Sequence, residues 1–319
     1  MRAVGQNDKS RVAGKAFRGA SPAARFRGGL ALLAVAVLAP GCGRNASEVR
    51  PASGQQPLKA PPARALDAYA DRLSAAHAAR VAAAKRWGLR KVPLTAPPPT
   101  ERPSIRTRRG FEVDGHGERG LPPVFTAVPT REKVVFLTID DGAEKDPAFL
   151  RMMSELQVPY TAFLSDYLVK EDYGYFRRMQ DRGVGLNNHT LHHPNLRKLS
   201  YARQQREICG MQNVIEQRYG KRPILFRPPF GTYDAGTLVA AKACGIQYVP
   251  LWNEEVFVDH WEYREGDRKL HPGDIVLTHF RGREHWKGTM RDMARRFLNK
   301  VTAEGYAVGR LEDYLEDHP

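Results

Sequence analysis

From about residue 131 to the end, short unbroken apolar runs alternate with longer stretches in which apolar positions recur at helical spacing. The runs predict strands at 134–139, 160–164, 184–187, 224–227, 247–251, 275–278 and 306–309. The periodic stretches predict helices at 147–156, 173–182, 200–219, 234–244 and 288–304. Val134-Val135-Phe136-Leu137, continuous in β-branched and aromatic residues, suits a strand buried on both faces in a parallel sheet. Strand–helix alternation over one domain length implies an α/β fold, with a parallel sheet and right-handed crossovers closed or nearly closed into a (β/α) barrel. That domain is placed at 131–319.

The pattern upstream is different. Residues 1–41 carry seven basic side chains against Asp8, then an apolar run at 30–39 too short to span a bilayer comfortably, so they read as an export signal. Its end, Leu38-Ala39-Pro40-Gly41-Cys42, resembles the lipobox of bacterial lipoproteins, which implies lipidation at Cys42 and anchoring at the outer face of the cytoplasmic membrane. Secretion without a lipid and an uncleaved anchor are the alternatives. Residues 42–64 are rich in Pro, Gly, Ser and Gln and read as a flexible spacer. Residues 65–130 form a helical and Pro-rich extension: an Ala-rich helix at 65–90 expected to dock on the main domain, then irregular structure at 92–130.

Length and charge narrow the picture. A chain of 319 residues with 42% hydrophobic residues buries one sizeable core with extensions, and a monomer is expected. The formal net charge is +15, of which residues 1–41 contribute +6, leaving +9. That balance suits an anionic surface or polymer as neighbour. No zinc finger, RNP-like run or recognition helix marks a nucleic-acid module, so no nucleic-acid partner is expected.

Candidate chemistry lies where strands end. Thr138-Ile139-Asp140-Asp141-Gly142 follows the first strand, at the sheet edge where α/β folds place ligands, although Asp-Asp-Gly is equally a good turn. Asn187-Asn188-His189-Thr190-Leu191-His192-His193-Pro194 follows another strand. On helix-like backbone His189 and His193 would share a face, and with Asp141 they would make a two-His, one-carboxylate metal triad; the other reading is a solvated His-rich loop. His192 would point elsewhere. Arg227, ahead of Pro228 and Pro229, suits a fixed guanidinium holding a carboxylate, and His279 ends the strand at 275–278 with a side chain that titrates near neutrality.

In this order, the motifs T-x-D-D-G, H-[S/T]-x-x-H-P, R-x-P-[aromatic]-G and L-x-H resemble the polysaccharide deacetylase family, also called the NodB homology domain or carbohydrate esterase family 4. The resemblance spans about residues 131–315. It implies a distorted (β/α) barrel and metal-dependent removal of N-acetyl groups from an amino-sugar polymer of the cell envelope or extracellular matrix, such as peptidoglycan or a chitin-like glycan. Carried over residue by residue, Asp140 is the general base, Arg227 its partner, and His279 the acid that protonates the leaving amine. Asp141, His189 and His193 hold one divalent ion, zinc first, with cobalt or another ion also fitting. The Phe230 backbone N–H helps hold the oxyanion, and Leu277 lines the acetyl-methyl pocket.

The sequence also departs from the family pattern. Phe230 stands where a Tyr is common, and Phe280 where an acid often follows the last His. The Asp that orients the acid His, directly before a Trp, has no clean match: Asp259 and Trp261 are the first choice, Glu255 the second. A non-catalytic envelope carbohydrate-binding lipoprotein and an O-acetyl, xylan-type esterase are therefore carried as alternatives. Cys209 and Cys244 are expected as small buried hydrophobes, since their spacing does not set a distance between them. Trp87, Trp252, Trp261 and Trp286 are expected mainly as packing residues, with sugar stacking as a further use.

Overall fold

Every residue from Val134 to Asp141 is buried, so the strand that carries the Asp pair has no solvent face, as its unbroken apolar run predicts. The computed structural model describes residues 63–113 and 120–316; the signal and Cys42 assignments and the spacer up to residue 62 lie outside the described residues, while residues 63 and 64, assigned to the spacer, begin a helix instead. The strands are β1 (Leu94–Thr95), β2 (Val124–Phe125), β3 (Val134–Asp141), β4 (Thr161–Leu164), β5 (Gly185–Asn188), β6 (Val249–Pro250), β7 (Glu254–Val256), β8 (Trp261–Tyr263), β9 (Ile275–His279) and β10 (Ala307–Gly309). The helices are α1 (Ala63–Arg86), α2 (Pro147–Glu155), α3 (Asp166–Val169), α4 (Tyr173–Gln180), α5 (Tyr201–Tyr219), α6 (Ala235–Ala243) and α7 (Met290–Ala303).

Helix starts follow local chemistry. The Asp234 carboxylate and the Thr237 hydroxyl satisfy each other's backbone N–H at the head of α6, and Thr289 and Asp292 do the same for α7. Asp146 caps α2, whose first residue is Pro147, placed where no N–H is needed. On α7, Met293, Phe297 and Val301 are buried in one core cluster with Phe149 and Met153 of α2.

The sheet closes into an irregular barrel. One edge of β3 pairs in parallel with β9; the other pairs with β10 over its first half and β4 over its second. β4 pairs with β5, after which single bridges carry the ring from Asn188 to Phe226 and from Leu225 to Tyr248. β6 then pairs with β2, and Ala127 bridges to Asp274 at the start of β9. The strand expected at 224–227 is reduced to those bridging residues. Pro223, Pro228 and Pro229 bracket it and lack the N–H groups a longer ladder would need.

Three expectations change. Helix α1 docks only by its C-terminal end, where Ala83, Ala84 and Trp87 are buried; Leu66, Tyr69, Leu73 and Val81 of its apolar stripe are exposed. The segment at 92–130 contains β1 and β2, and an antiparallel β7–β8 hairpin stands where mixed acids and aromatics gave no strand signal. Cys209 and Cys244 form a disulfide, with Cα atoms 5.0 Å apart, rather than two thiols. The distance follows from α5 packing on α6, which the spacing of the cysteines in sequence does not encode.

Candidate active site

At the C-terminal end of β3 the chain turns sharply, with φ of 81° at Asp141 and 101° at Gly142. A Cβ at Gly142 would lie 2.4 Å from Val169 Cγ1, so both backbone and packing require glycine there. Register places Asp140 directly opposite His279 and Thr138 opposite Leu277. Residues two apart share a sheet face, so Thr138, Asp140, Leu277 and His279 all present to the same side.

Arg227 is 0% exposed, yet each of its guanidinium nitrogens donates a hydrogen bond. Nη1 donates to Asp140 Oδ1 (2.8 Å) and Thr138 Oγ1 (2.9 Å), Nε to the Pro250 carbonyl (2.9 Å) and Nη2 to the Leu251 carbonyl (3.2 Å). Its Cζ lies 4.3 Å from the Phe163 ring centroid. The side chain that holds the base is thus itself held from every direction.

The His189–His193 segment is not helical. Thr190 and His193 have φ of 73° and 55°, and the turn is tied by Thr190 N–H to Asn188 Oδ1 (2.9 Å) and His193 N–H to Thr190 Oγ1 (3.0 Å). The two imidazoles converge all the same, with ring centroids 4.8 Å apart. His189 Nδ1 lies 2.7 Å from the Arg227 carbonyl, which leaves Nε2 facing the carboxylates. That Nε2 is 3.7 Å from Asp141 Oδ1, and His193 Nε2 is 3.4 Å from the same oxygen. His192 turns outward to Glu207.

Asp141 Oδ1 is buried and has no hydrogen-bond partner among the described residues. The donor atoms of Asp141, His189 and His193 lie within 4.8 Å of one another. Burial lowers both imidazoles to about 4, so they are neutral near pH 7 and have lone pairs to offer. A carboxylate oxygen without a donor, facing two neutral imidazoles, fits a divalent cation.

The remaining pair is tuned for proton transfer. Burial raises Asp140 to about 6, with Arg227 and His279 opposing the rise and Asp141 adding to it. For His279, burial alone would lower the pKa, but the Glu255 bond and the charges of Asp141 and Asp140 carry it above its ordinary value. Near neutral pH Asp140 is therefore mostly an anion, and His279 is held toward its protonated form.

The partner of His279 is Glu255, whose Oε1 is 3.1 Å from Nδ1, and this corrects the choice of Asp259. Asp259 is exposed and bound to its neighbour His260 at 2.6 Å. The β7–β8 hairpin is the cause: β7 pairs with β9, setting Glu255 opposite Leu277, while Asp259 falls at the hairpin's tip. Trp261 likewise lies on β8, near-parallel to the Phe297 ring at 6.1 Å, a packing position on the α7 side. Phe280 is buried edge-on to Phe176, in the apolar core rather than beside a second acid. Phe230 is 62% exposed and left-handed at φ 62°, with its ring 4.7 Å from that of His193. Two residues at the site carried no sequence signal: Arg281, whose Nη2 donates to Asp141 Oδ2 (3.4 Å), and Tyr167, which feels the Asp141 charge after burial.

Comparison with known proteins agrees with this geometry. A family model described as polysaccharide deacetylase matches residues 127–249, which include Asp140, Asp141, His189, His193 and Arg227. An uncharacterised protein of Streptomyces coelicolor is 44% identical over 204 residues, covering 63% of this chain and 81% of that protein. The peptidoglycan-N-acetylmuramic acid deacetylase PdaA of Bacillus subtilis is 29% identical over 58% of this chain and 73% of its own. The crystal structure of a peptidoglycan N-acetylglucosamine deacetylase superposes with a TM-score of 0.54 at 22% identity, covering 61% of this chain and 94% of that one, a likeness of fold. On the matched residues and a relative aligned over most of its length, the chain belongs to the polysaccharide deacetylase family, hydrolases acting on carbon–nitrogen bonds other than peptide bonds.

Proposed function

We propose that this chain removes N-acetyl groups from an amino-sugar polymer of the bacterial cell envelope, peptidoglycan first, by hydrolysis at the β3–β9 rim. The carrying observation is the pair set in register across that rim: Asp140, held by Arg227, opposite His279, held by Glu255. Peptidoglycan is favoured by what the relatives' names say they act on.

Asp141, His189 and His193 would hold one divalent cation, zinc first; when bound, it supplies a Lewis acid that polarises the acetyl carbonyl and acidifies water. Asp140 takes the proton from the attacking water, and Arg227 keeps its carboxylate oriented. The Phe230 N–H helps hold the oxyanion, and Leu277, on the same face as His279, borders the acetyl methyl. His279 then protonates the departing amine, with Glu255 steadying the imidazolium charge. The chain is proposed to work outside the cytoplasm, tethered through lipid at Cys42 and the 42–64 spacer.

The test is acetate release from peptidoglycan, chitin oligomers and poly-N-acetylglucosamine, with and without chelator. Release that requires metal and is lost in Asp140→Asn is expected. Sugar binding without release would favour a carbohydrate-binding protein, and release from acetylated xylan alone an O-acetyl esterase.

A further inference from the structure

A second cluster of metal-binding side chains lies outside the active site, where β7 and β9 begin. Glu254 on β7 is 0% exposed, and among the described residues its carboxylate oxygens meet no N–H or hydroxyl donor, only the carboxyl of Asp274. Asp274, 1% exposed, immediately precedes β9. His271 precedes it by one turn. Donor atoms of Glu254, His271 and Asp274 all lie within 4.8 Å of one another.

The surroundings are arranged as they are around metal ligands. Asn253 Nδ2 donates to Asp274 Oδ1 (2.6 Å), and the His271 backbone N–H donates to Asp274 Oδ2 (2.6 Å), fixing that carboxylate. His271 Nε2 lies 3.1 Å from Asp267 Oδ2, which leaves Nδ1 on the Asp274 side at 3.4 Å. No nearby cation bonds Glu254 among the described residues: Arg108 bonds Thr126, Asn253 and Glu265, and Arg264, whose charge reaches Glu254, donates its Nε to the Trp252 carbonyl. A cavity of about 570 Å³, lined in part by His271, Asp274, Asn253 and Arg108, gives access.

Two facing carboxylates at this depth require a positive charge between them. It can be a cation or a shared proton, since burial and then Asp274 push Glu254 up to about 10. The third donor favours the ion: His271, held by Asp267 through Nε2, presents Nδ1 beside Asp274 and completes a set of three ligand atoms of the kind a metal ion takes.

We infer that Glu254, Asp274 and His271 form a second divalent-cation site, distinct from the Asp141–His189–His193 centre and built for a transition metal such as zinc or manganese. Its position gives it a structural task. It ties the start of β7 to the start of β9, and the next residue on β7 is Glu255, which holds His279. The cation therefore fixes the strand that presents the partner of the acid, whatever substrate the active site takes.

The experiment is zinc stoichiometry on the full chain, loaded and desalted, with melting measured alongside. His189→Ala/His193→Ala removes the first centre and isolates the second. Two zinc ions per chain are expected in the wild type, one in that double variant, and none once His271→Ala and Glu254→Gln are added. Zinc should raise the melting temperature of the double variant and not of the quadruple one. No zinc in the double variant would overturn the inference, as would zinc retained in the quadruple variant, or a Glu254→Gln chain that melts like the parent with no zinc response in either. If Glu254→Gln does not fold, His271→Ala alone, altering a partly exposed side chain, gives the same reading.

Discussion

Glu255→Gln isolates what the hairpin does for catalysis. The substitution preserves shape and leaves an amide oxygen able to accept from His279, but it removes a negative charge 3.1 Å from Nδ1. At an effective dielectric near 20 the gross Coulomb attraction over that distance is about 5 kcal/mol. Desolvation of both partners and the surviving neutral bond offset most of it; charged hydrogen bonds exceed neutral ones by about 1–1.5 kcal/mol. That difference is about one pKa unit. The sign is downward, because losing the anion disfavours the imidazolium. His279 must be protonated to act, so the basic limb of kcat/KM for acetate release should move about one unit toward lower pH. Above that limb the variant should be about tenfold slower, and well below it close to the parent. The acidic limb, set by Asp140, should stay within a few tenths of a unit. Asp259→Asn is the control, since Asp259 is exposed and paired with His260. If Asp259→Asn moved the basic limb and Glu255→Gln did not, the assignment of Glu255 would be refuted.

Other perturbations separate the remaining parts. Asp141→Asn should lose the active-site metal, read as bound zinc in a chain also carrying His271→Ala, whereas Asp140→Asn should keep the metal and lose acetate release by more than a hundredfold. Arg227→Met leaves Asp140 buried without its cation and should cost about 3–5 kcal/mol, read as a lower midpoint in urea with unchanged slope. Cys209→Ala/Cys244→Ala opens a loop of 35 residues, worth about 3–4 kcal/mol in chain entropy; for a domain of this size, the melting temperature should fall by about 8–15 °C.

The parts of the site legible in the sequence are those whose chemistry sits in one short stretch beside a strand end. Asp140, Asp141, His189, His193, Arg227 and His279 each follow an apolar run, and a parallel sheet delivers such ends to one rim. Their roles came from a family resemblance, not from spacing. The i, i+4 spacing of His189 and His193 implies a helical turn, but two left-handed residues bring the rings together instead. Positive φ at Thr190 and His193 costs energy that the Asn188 and Thr190 side-chain bonds offset, and no periodicity reports such a turn.

What the amino-acid sequence determined by itself was the order of strands and helices, the burial of β3 and the identity of the polar groups that end it, because these rest on local periodicity and residue type. What tertiary structure decided was everything set by pairing between distant segments. Proline-bracketed residues at 224–227 close the barrel through single bridges. The β7–β8 hairpin brings Glu255, not Asp259, to His279, and α5 against α6 brings Cys209 to Cys244. Glu254 and Asp274, ordinary acids in the sequence, become a buried pair only when β7 lies beside β9. Contacts of that kind depend on register and packing across the fold, and a one-dimensional pattern carries no term for either.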